Sequence, residues 1–437
     1  MMNSIDKNNL LAILPNDDVL SQCMHCGMCL ATCPTYELTM QEKSSPRGRI
    51  RLIKSVARGE LEITPAFVKE MSYCLDCQAC ETACPAGVKY GSMVEAARVM
   101  ISNGKSGRTV GNYVKKFGMN FIIAEKIFLK ITANILKFYQ RSGMQKLIHK
   151  SKVMNLFSKN LSEIDKLSPR ISDVFSDKII KEINMPYGEV KHNVLFLSGC
   201  IMNVAFSEIN QDTLEILLQN NCKVICPKAQ GCCGSLHAHY GELPKAVELA
   251  KHNLEIFSKY DFDFLVSNSA GCGAFMKEYV HLFENDPKLA EKAKIFSSKI
   301  LDITEFITSI ELNKNIGTID VPVTYHDACH LCHTQKITKA PRDFLKLIPG
   351  LSIIPLEESM WCCGSAGIYN VVEYEDSMKI LERKMKNISS TKAKIVVTGN
   401  PGCIGQIKYG AEKFNVDIEV IHPATLMNRA YKNYKSS

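Results

Sequence analysis

Apolar runs of strand length recur in the second half of the 437-residue chain, separated by segments with helical periodicity. The runs are short and unbroken, as expected for strands buried on both faces, and they occupy residues 194–197, 262–266, 321–325 and 395–397. Between them the apolar residues follow the spacing of amphipathic helices, at 207–218, 245–257 and 374–385. This alternation predicts parallel sheets, whose ligands gather beyond the carboxyl ends of the strands.

The first 190 residues lack this alternation, and helices are predicted at 45–54 and 65–71. A further apolar stripe at helical spacing, interleaved with lysines, comprises Ile123, Ile127, Phe128, Ile131, Ile135 and Phe138. Residues 101–160 hold twelve lysines and arginines against a single acid, Glu125. The stripe predicts either docking on an anionic membrane or acidic partner, or a helix packed on its own protein with a solvated lysine face. We favour the second interpretation.

Two copies of one cysteine phrase, CxxCxxCxxxCP, occupy residues 23–34 and 74–85. This spacing is typical of proteins with two [4Fe-4S] clusters, in which the fourth cysteine of each phrase binds the other cluster. We therefore predict one cluster on Cys23, Cys26, Cys29 and Cys84, and a second on Cys33, Cys74, Cys77 and Cys80. A zinc ribbon needs only two CxxC halves and leaves the third cysteine and the proline unexplained.

Composition supports metal chemistry over disulfides. The chain has nineteen cysteines, and its first eighteen residues lack the apolar core of a signal peptide, which together favour a reducing compartment. The hydrophobic content of 46% is ordinary for a globular protein, and the net charge is +8. No uncharged apolar run reaches the length of about 18 residues needed for a membrane span. We expect a cytoplasmic protein that is either free or peripheral on a membrane.

The cysteines of the second half repeat as a quartet. Their offsets of 129, 130, 130 and 131 residues indicate tandem copies of one domain, with Cys200, Cys232, Cys233 and Cys272 recurring as Cys329, Cys362, Cys363 and Cys403. In each copy the adjacent pair is followed by a glycine, Gly234 or Gly364. Adjacent ligands need a tight loop, for which glycine supplies the unusual φ. The predicted domains are 1–100, a basic linker at 101–190, and the two copies at 191–315 and 316–437.

Several phrases together resemble the iron–sulfur subunit of glycolate oxidase, from about residue 23 to residue 402. Besides the cysteine phrases they are Pro46-Arg-Gly-Arg49, Gly231-Cys-Cys-Gly234, Ser269-Ala-Gly-Cys-Gly-Ala-Phe275 and Cys362-Cys-Gly-Ser-Ala-Gly367. The same plan is shared by the anaerobic glycerol-3-phosphate dehydrogenase small subunit, lactate-utilisation proteins and, more distantly, heterodisulfide reductase subunits. The resemblance implies an α+β multidomain fold, with an α-helical ferredoxin-type domain, a helical linker and two tandem α/β cysteine-rich (CCG) domains.

One departure from the heterodisulfide reductase pattern bears on the quartets. That pattern ends each CCG domain in CxxC, whereas Phe275 and Gln406 occupy the final position here. The quartets could hold a third cluster, a zinc ion or nothing. If they hold nothing, their thiols are buried side chains that only contribute to packing of the core. The histidines near the quartets are His237, His239, His326, His330 and His333. They are either ligands or proton carriers, or else hydrogen-bonded histidines at a domain seam. We favour the seam interpretation. Cys222 and Cys226 are expected in the core.

No GxGxxG phrase opens a βαβ unit in this sequence. Because 2-hydroxy-acid oxidation needs a flavin to accept the hydride, the resemblance implies FAD on a partner subunit. We predict an electron-transfer subunit that passes electrons from this flavoprotein to a quinone or similar membrane acceptor, with glycolate as the first choice of substrate. A glycerol-3-phosphate or D-lactate system, a heterodisulfide-reductase-like thiol enzyme and a scaffold without clusters stay open. No nucleic-acid partner is expected. Arg47, Arg49 and Arg51 either offset cluster charge or form a solvated face.

Overall fold

The computed structural model describes residues 15–104, 110–151, 154 and 160–436. The N-terminal module is helical, with helices Asp17–Ser21, Pro34–Thr39, Pro46–Ala57, Pro65–Tyr73, Ala79–Thr82 and Tyr90–Asn103, and a 3-10 turn at Glu42–Ser44. The side chains of Ser45 and Thr64 cap two of the helices by accepting from first-turn N–H groups. Their buried faces meet at Ile53, Phe67 and Met93. This confirms both helices predicted for the module.

The two cysteine loops of this module follow the same unusual backbone path. In the first loop, the residues just before and after the second cysteine, His25 and Gly27, have φ of 57° and 87°. In the second loop the equivalent Asp76 and Gln78 have φ of 54° and 58°. Because the left-handed region is costly for residues other than glycine, its use at matching positions indicates that both loops meet the same geometric demand.

The linker is also helical. Its helices are Val110–Phe117, Lys126–Arg141, Met144–Ser151, Leu161–Lys166 and Ser176–Ile179, with a π-helical turn at Gly118–Ile123. The longest packs on the protein through Leu129 and Ala133, which contact a cluster including Phe175 and Val204. Four of the twelve basic residues counted above lie outside the described residues.

The apolar stripe of this helix does not form the packed face. Its residues from 127 onward are 50% to 72% exposed, namely Ile127, Phe128, Ile131, Ile135 and Phe138. Lys126 and Lys130 instead form ion pairs with Asp177 of the same protein. The interpretation we favoured is therefore right that the helix packs on its own chain, but wrong about which side packs and about a solvated lysine face.

The first CCG domain contains a five-stranded sheet in the order β1-β3-β2-β4-β5, in which only β1 is antiparallel to its neighbour. Its strands are β1 Ile183–Asn184, β2 His192–Leu197, β3 Cys222–Ile225, β4 Phe264–Ser267 and β5 Ile300–Asp302. Its helices are Ile201–Ala205, Ser207–Gln219, Ser235–His239, Leu243–Phe257, Ala270–Lys277, Tyr279–Leu282, Ala290–Ser298 and Ile303–Ser309. Cys222 and Cys226 lie in its core, as predicted.

The second CCG domain repeats this topology without the antiparallel strand, in the order β7-β6-β8-β9. Its strands are β6 Pro322–Tyr325, β7 Ser352–Ile354, β8 Ile395–Val397 and β9 Glu419–Ile421. Its helices are Ala340–Lys346, Tyr369–Val372, Tyr374–Ser390, Pro401–Lys413 and Pro423–Ser436, with a π-helical turn at His330–Thr334. All four apolar runs that we predicted as strands are strands, and each copy places its cysteines after them.

The two CCG domains share one core. Helix Ser207–Gln219 of the first packs against helix Pro423–Ser436 of the second. At this seam the Asp212 carboxylate accepts hydrogen bonds from Thr425 and Asn428, both at 2.7 Å. The copies are thus held in a fixed relation that brings their cysteine-bearing edges together.

The ferredoxin module docks on both CCG domains. The Tyr73 hydroxyl donates to Asp376 in the second domain at 2.8 Å. Arg98 donates from Nη1 to the backbone carbonyl of His239 in the first domain at 2.8 Å. Docking of this kind places the second cysteine loop at the junction of all three modules.

Candidate functional site

The first predicted ligand set gathers around a small pocket at the surface of the ferredoxin module. The pocket is lined by all four cysteines of this set, Cys23, Cys26, Cys29 and Cys84. Cys80 of the second set also lines it. Arg47 holds the loop, donating from Nη1 to the His25 carbonyl at 2.8 Å and from Nε to the Glu42 carboxylate at 2.6 Å. A Cβ at Gly27 would lie 2.7 Å from the Arg47 guanidinium. This close contact and the φ of 87° together favour glycine at this position.

The second predicted set lies deeper. Cys33 and Cys74 lie close enough to Cys77 and Cys80 that a negative charge on either of them would raise the pKa of those two thiols. The fourth cysteine of the first phrase therefore lies beside the second phrase. The Tyr90 hydroxyl donates to the Cys74 sulfur at 3.3 Å. The structure thus brings the residues of each predicted set together, while cluster ligation by them stays a prediction.

The arrangement of these eight thiols fits cubane clusters better than single ions. Among the described residues, no three of them have sulfur atoms all within 4.8 Å of one another, as expected when each thiolate binds a different iron of one cage. Burial raises the pKa of Cys29 to about 11 and that of Cys77 well above its usual value. These groups are therefore neutral thiols without iron, and cluster binding must release their protons.

Arg49 is fully buried beside the second set. Its Nε donates to the Glu70 carbonyl at 2.8 Å, its Nη1 donates to the Thr35 hydroxyl at 3.0 Å, and its Nη2 lies 3.7 Å from the Glu70 carboxylate. That carboxylate also accepts from the Ser44 hydroxyl at 2.9 Å. Arg51, on the same helix, is exposed. The three arginines therefore do not share one role: Arg49 places a buried positive charge near thiols, and Arg51 is solvated.

Three family models match this chain. A 4Fe-4S dicluster domain matches residues 19–88, a cysteine-rich domain matches residues 194–277 and again 323–408, and the linker region of the glycolate oxidase iron-sulfur subunit matches residues 113–168. A probable glycolate oxidase iron-sulfur subunit from Bacillus subtilis (strain 168) is 38% identical over 416 residues, covering 94% of each chain. The chain belongs to the family of glycolate oxidase iron–sulfur subunits. The predicted family and fold class are confirmed.

More distant relatives set the breadth of this family. The glycolate oxidase iron-sulfur subunit of Escherichia coli (strain K12) is 29% identical over 395 residues, 89% of this chain and 90% of the relative. Lactate utilization protein A of Shouchella clausii (strain KSM-K16) is 31% identical over 237 residues, 54% of this chain and 98% of the relative. The chain is therefore an iron–sulfur subunit of a hydroxy-acid oxidoreductase. Within the described residues, no helix has the length and apolar character needed to cross a bilayer.

Both CCG quartets of this family member open onto one cavity of about 720 Å³. Its wall contains all eight of their cysteines, Cys200, Cys232, Cys233, Cys272, Cys329, Cys362, Cys363 and Cys403. Cys74 and Cys77 of the ferredoxin module line the same cavity. Within the first quartet, the sulfur atoms of Cys200 and Cys232 are 3.5 Å apart. The tandem repeat thus forms one shared site where three modules meet, a result that sequence spacing alone did not show.

The CCG loops confirm the predicted need for glycine. Gly234 and Gly364 have φ of 93° and 89°. A Cβ on Gly234 would lie 3.0 Å from the Phe275 ring, and one on Gly364 would lie 3.4 Å from the Gln406 amide nitrogen. The two residues that replace a fifth cysteine therefore pack against the CCG glycines, and neither supplies a thiol.

Two of the candidate histidines are hydrogen-bonded at a seam between modules, as we favoured, His333 at both ring nitrogens and His237 at Nε2 alone. His237 is buried, and its Nε2 donates to the Met119 carbonyl at 2.9 Å. The ring of His333 lies between the Thr82 hydroxyl, 3.0 Å from Nδ1, and the Met360 carbonyl, 3.2 Å from Nε2. These imidazoles join the linker and the ferredoxin module to the CCG domains.

A buried charged network around Asp76, inside the second cysteine loop, was not predicted. His239 Nδ1 lies 3.1 Å from the Asp76 carboxylate and 2.7 Å from that of Glu95, and Arg98 Nη1 lies 3.5 Å from Asp76. The His330 ring stacks on that of His239 at 4.8 Å. Burial opposes the charge of His239, but hydrogen bonds to both carboxylates raise its pKa to about 10. The network fastens the loop to the first CCG domain. Nothing in the cysteine spacing marks it, because the left-handed φ of Asp76 is seen only in the structure.

Proposed function

We propose that the chain carries electrons in a complex that oxidises a 2-hydroxy acid, glycolate foremost, from FAD on a flavoprotein subunit to a quinone or similar acceptor. Two [4Fe-4S] clusters on the ferredoxin module would supply the electron-carrying chemistry. The family membership supports the substrate class, since relatives are named for glycolate oxidase and lactate utilization. The observation that carries the proposal is the order in space of three thiol-lined sites: a surface pocket, a buried set and a shared cavity.

The surface pocket is suited to receive electrons from a partner. Cys26 is exposed, and the neighbouring Met24 and Met28 are 70% and 60% exposed. Exposed apolar side chains around a functional site favour docking of another protein, and methionine is enriched in such interfaces. We place the flavoprotein on this loop, where its flavin would come nearest to the first cluster.

The shared cavity is suited to the acceptor side. Cys74 and Cys77 belong both to the second ligand set and to the cavity wall, so the second cluster would border the cavity. Its volume lies within the range of about 300–1,000 Å³ that small-molecule sites occupy. Apolar residues of the linker, Ile123 and Ile164, line it together with the imidazole of His239. A quinone needs apolar walls around its ring and a polar group that can hydrogen-bond to its carbonyl oxygens, and this cavity offers both. A metal on the CCG quartets would lie beside the bound quinone.

Reconstitution tests the proposal. The iron-loaded chain, with roughly eight irons, is combined with its flavoprotein and glycolate, and flavin bleaching and reduction of a short-tailed ubiquinone are followed separately. We expect both with the loaded chain, and flavin bleaching alone when the same chain has been stripped of iron. Quinone reduction at an equal rate with the stripped chain would show that electrons bypass the clusters, and the proposal would be wrong.

We also propose that the exposed stripe of helix Lys126–Arg141 rests on an anionic membrane. Five large apolar side chains project from the protein there, and Phe117 and Phe121 extend the patch with rings stacked at 5.2 Å. The next helix, Met144–Ser151, presents exposed Lys146 and Lys150. An apolar face flanked by lysines is the pattern of helices that lie in the interface plane of a bilayer.

Replacing both Ile131 and Ile135 by asparagine should weaken binding to vesicles that contain anionic lipid by about tenfold or more, because each buried isoleucine contributes about 1.5–3 kcal/mol. Co-sedimentation with the vesicles measures this. Ile295→Asn, which alters a 48% exposed side chain on another domain, is the control and should bind as the unaltered chain does. Equal binding by all three chains would argue against membrane contact through this stripe.

A further inference from the structure

One histidine near the cavity differs from the others in its surroundings. His326 is 0% exposed, and its ligand atoms lie with those of Cys363 and Cys403 in a group whose members are all within 4.8 Å of one another. The two thiols are 1% and 5% exposed. His326 directly follows strand β6, Cys363 lies in the CCG loop, and Cys403 lies in the first turn of helix Pro401–Lys413. Three separate elements therefore converge on one buried point.

The His326 ring has no hydrogen-bond partner at either nitrogen among the described residues. A buried polar group without a partner costs about 1–3 kcal/mol, so such a group in a folded protein calls for an explanation. In the first CCG domain Leu197 stands at the position equivalent to His326, and the buried imidazole of His237 is held at Nε2 by the Met119 carbonyl. Among the described residues, only His326 is a buried histidine with neither ring nitrogen partnered, and it lies in the second domain with two of that domain's thiols.

The spacing of these atoms matches a single ion. A tetrahedral zinc site has bonds of about 2.3 Å to sulfur and about 2.0 Å to nitrogen, which sets its ligand atoms roughly 3.5–3.8 Å apart. Donors that already lie within 4.8 Å need only small rotamer adjustments to reach that geometry. The eight ferredoxin thiols form no such close group among the described residues, so the two kinds of site differ in the structure itself.

We propose that His326, Cys363 and Cys403 bind one divalent cation of the zinc class, with the fourth position filled by another thiol of the same quartet or by water. Imidazole and thiolate are the donors that tetrahedral zinc sites use. A redox-inert ion here ties the end of β6, the CCG loop and helix Pro401–Lys413 together at the cavity wall. Its role is to order the wall of the shared site, and the inference stands independently of the proposed electron path.

Metal analysis of the full chain, purified without chelators from zinc-supplemented medium, tests the site. We expect one zinc ion per chain in addition to the iron of the clusters. In His326→Gln the zinc affinity should fall at least about tenfold, in line with the losses seen when metal-site residues are altered. Cobalt substitution gives a second readout, because thiolate-to-cobalt charge-transfer absorption should appear in the unaltered chain and change with the loss of the imidazole.

His422→Gln is the matched control, since His422 is also buried, 1% exposed, and also directly follows a strand of the second domain, β9. It should retain the zinc. Should His326→Gln fail to fold by circular dichroism, Cys403→Ser provides the same test from another element. Zinc content and cobalt spectrum unchanged in the His326 or Cys403 variant would overturn the inference, as would an additional iron cluster lost with Cys363→Ser. Neither result touches electron flow from the flavoprotein, which is measured separately.

Discussion

A chain carrying Cys33→Ser is expected to lose the second cluster and keep the first. Cys33 belongs to the first cysteine phrase, but it lies close enough to Cys77 and Cys80 of the second phrase to raise the pKa of their thiols. Serine lacks the thiolate that iron requires, so iron should fall from roughly eight to roughly four atoms per chain. Flavin reduction by glycolate should continue. Quinone reduction should be abolished, because the remaining first cluster would lie too far from the cavity to pass electrons to a quinone there.

Cys84→Ser makes the reciprocal test. Its thiol lines the surface pocket with three cysteines of the first phrase, so this variant should lose the first cluster and keep the second. Electron paramagnetic resonance of the reduced chains distinguishes the cases, because each variant should show one uncoupled cluster with its own spectrum. Cys226→Ser, at a core thiol that accepts a hydrogen bond from Gln230 at 3.3 Å, should keep both. Loss of the same cluster in Cys33→Ser and Cys23→Ser would contradict the crossed ligand sets.

The strands that could be predicted are those with continuous apolar runs. β2 and β8 lie in the interior of their sheets, where both faces are covered, and residues 194–197 and 395–397 of these strands form unbroken apolar runs. β1, β5, β7 and β9 lie at the edges of their sheets, and each includes a polar residue among its two or three residues, so no unbroken apolar run marks them. The antiparallel pairing of β1 also lies outside what strand and helix alternation implies.

The grouping of the ferredoxin thiols was predictable and the assembly of the shared cavity was not, while cluster ligation by these thiols stays a prediction. Cysteine spacing is a local property, and it indicated both ferredoxin sets. The shared cavity instead depends on docking contacts between residues far apart in the chain, such as Tyr73 with Asp376. The linker shows the same limit. Periodicity indicated the helix, but Leu129 and Ala133 compete with Ile131 and the rest of the stripe for the packed side, and only tertiary contacts decide between them.

Arg49→Met is expected to destabilise the ferredoxin module by about 3–5 kcal/mol, the usual cost of removing one partner of a buried ion pair. The substitution leaves the Glu70 carboxylate buried with the Ser44 hydroxyl and the outlying Lys43 as its neighbours. It also removes the donor to Thr35, whose hydroxyl lies 3.3 Å from the Cys33 sulfur. Cluster absorbance should therefore disappear at a lower guanidinium concentration than in the unaltered chain.

Two further chains separate the buried charge from a general effect on this helix. Arg51→Met removes an exposed arginine two residues further along and should change stability by no more than about 0.5 kcal/mol. Arg49→Met combined with Glu70→Gln should recover part of the loss, because a neutral amide costs less to bury than an unpaired carboxylate. Equal midpoints for Arg49→Met and Arg51→Met would mean that the pair with Glu70 does not hold the module. A double variant no more stable than Arg49→Met alone would instead assign the loss to the Thr35 contact beside the second cluster.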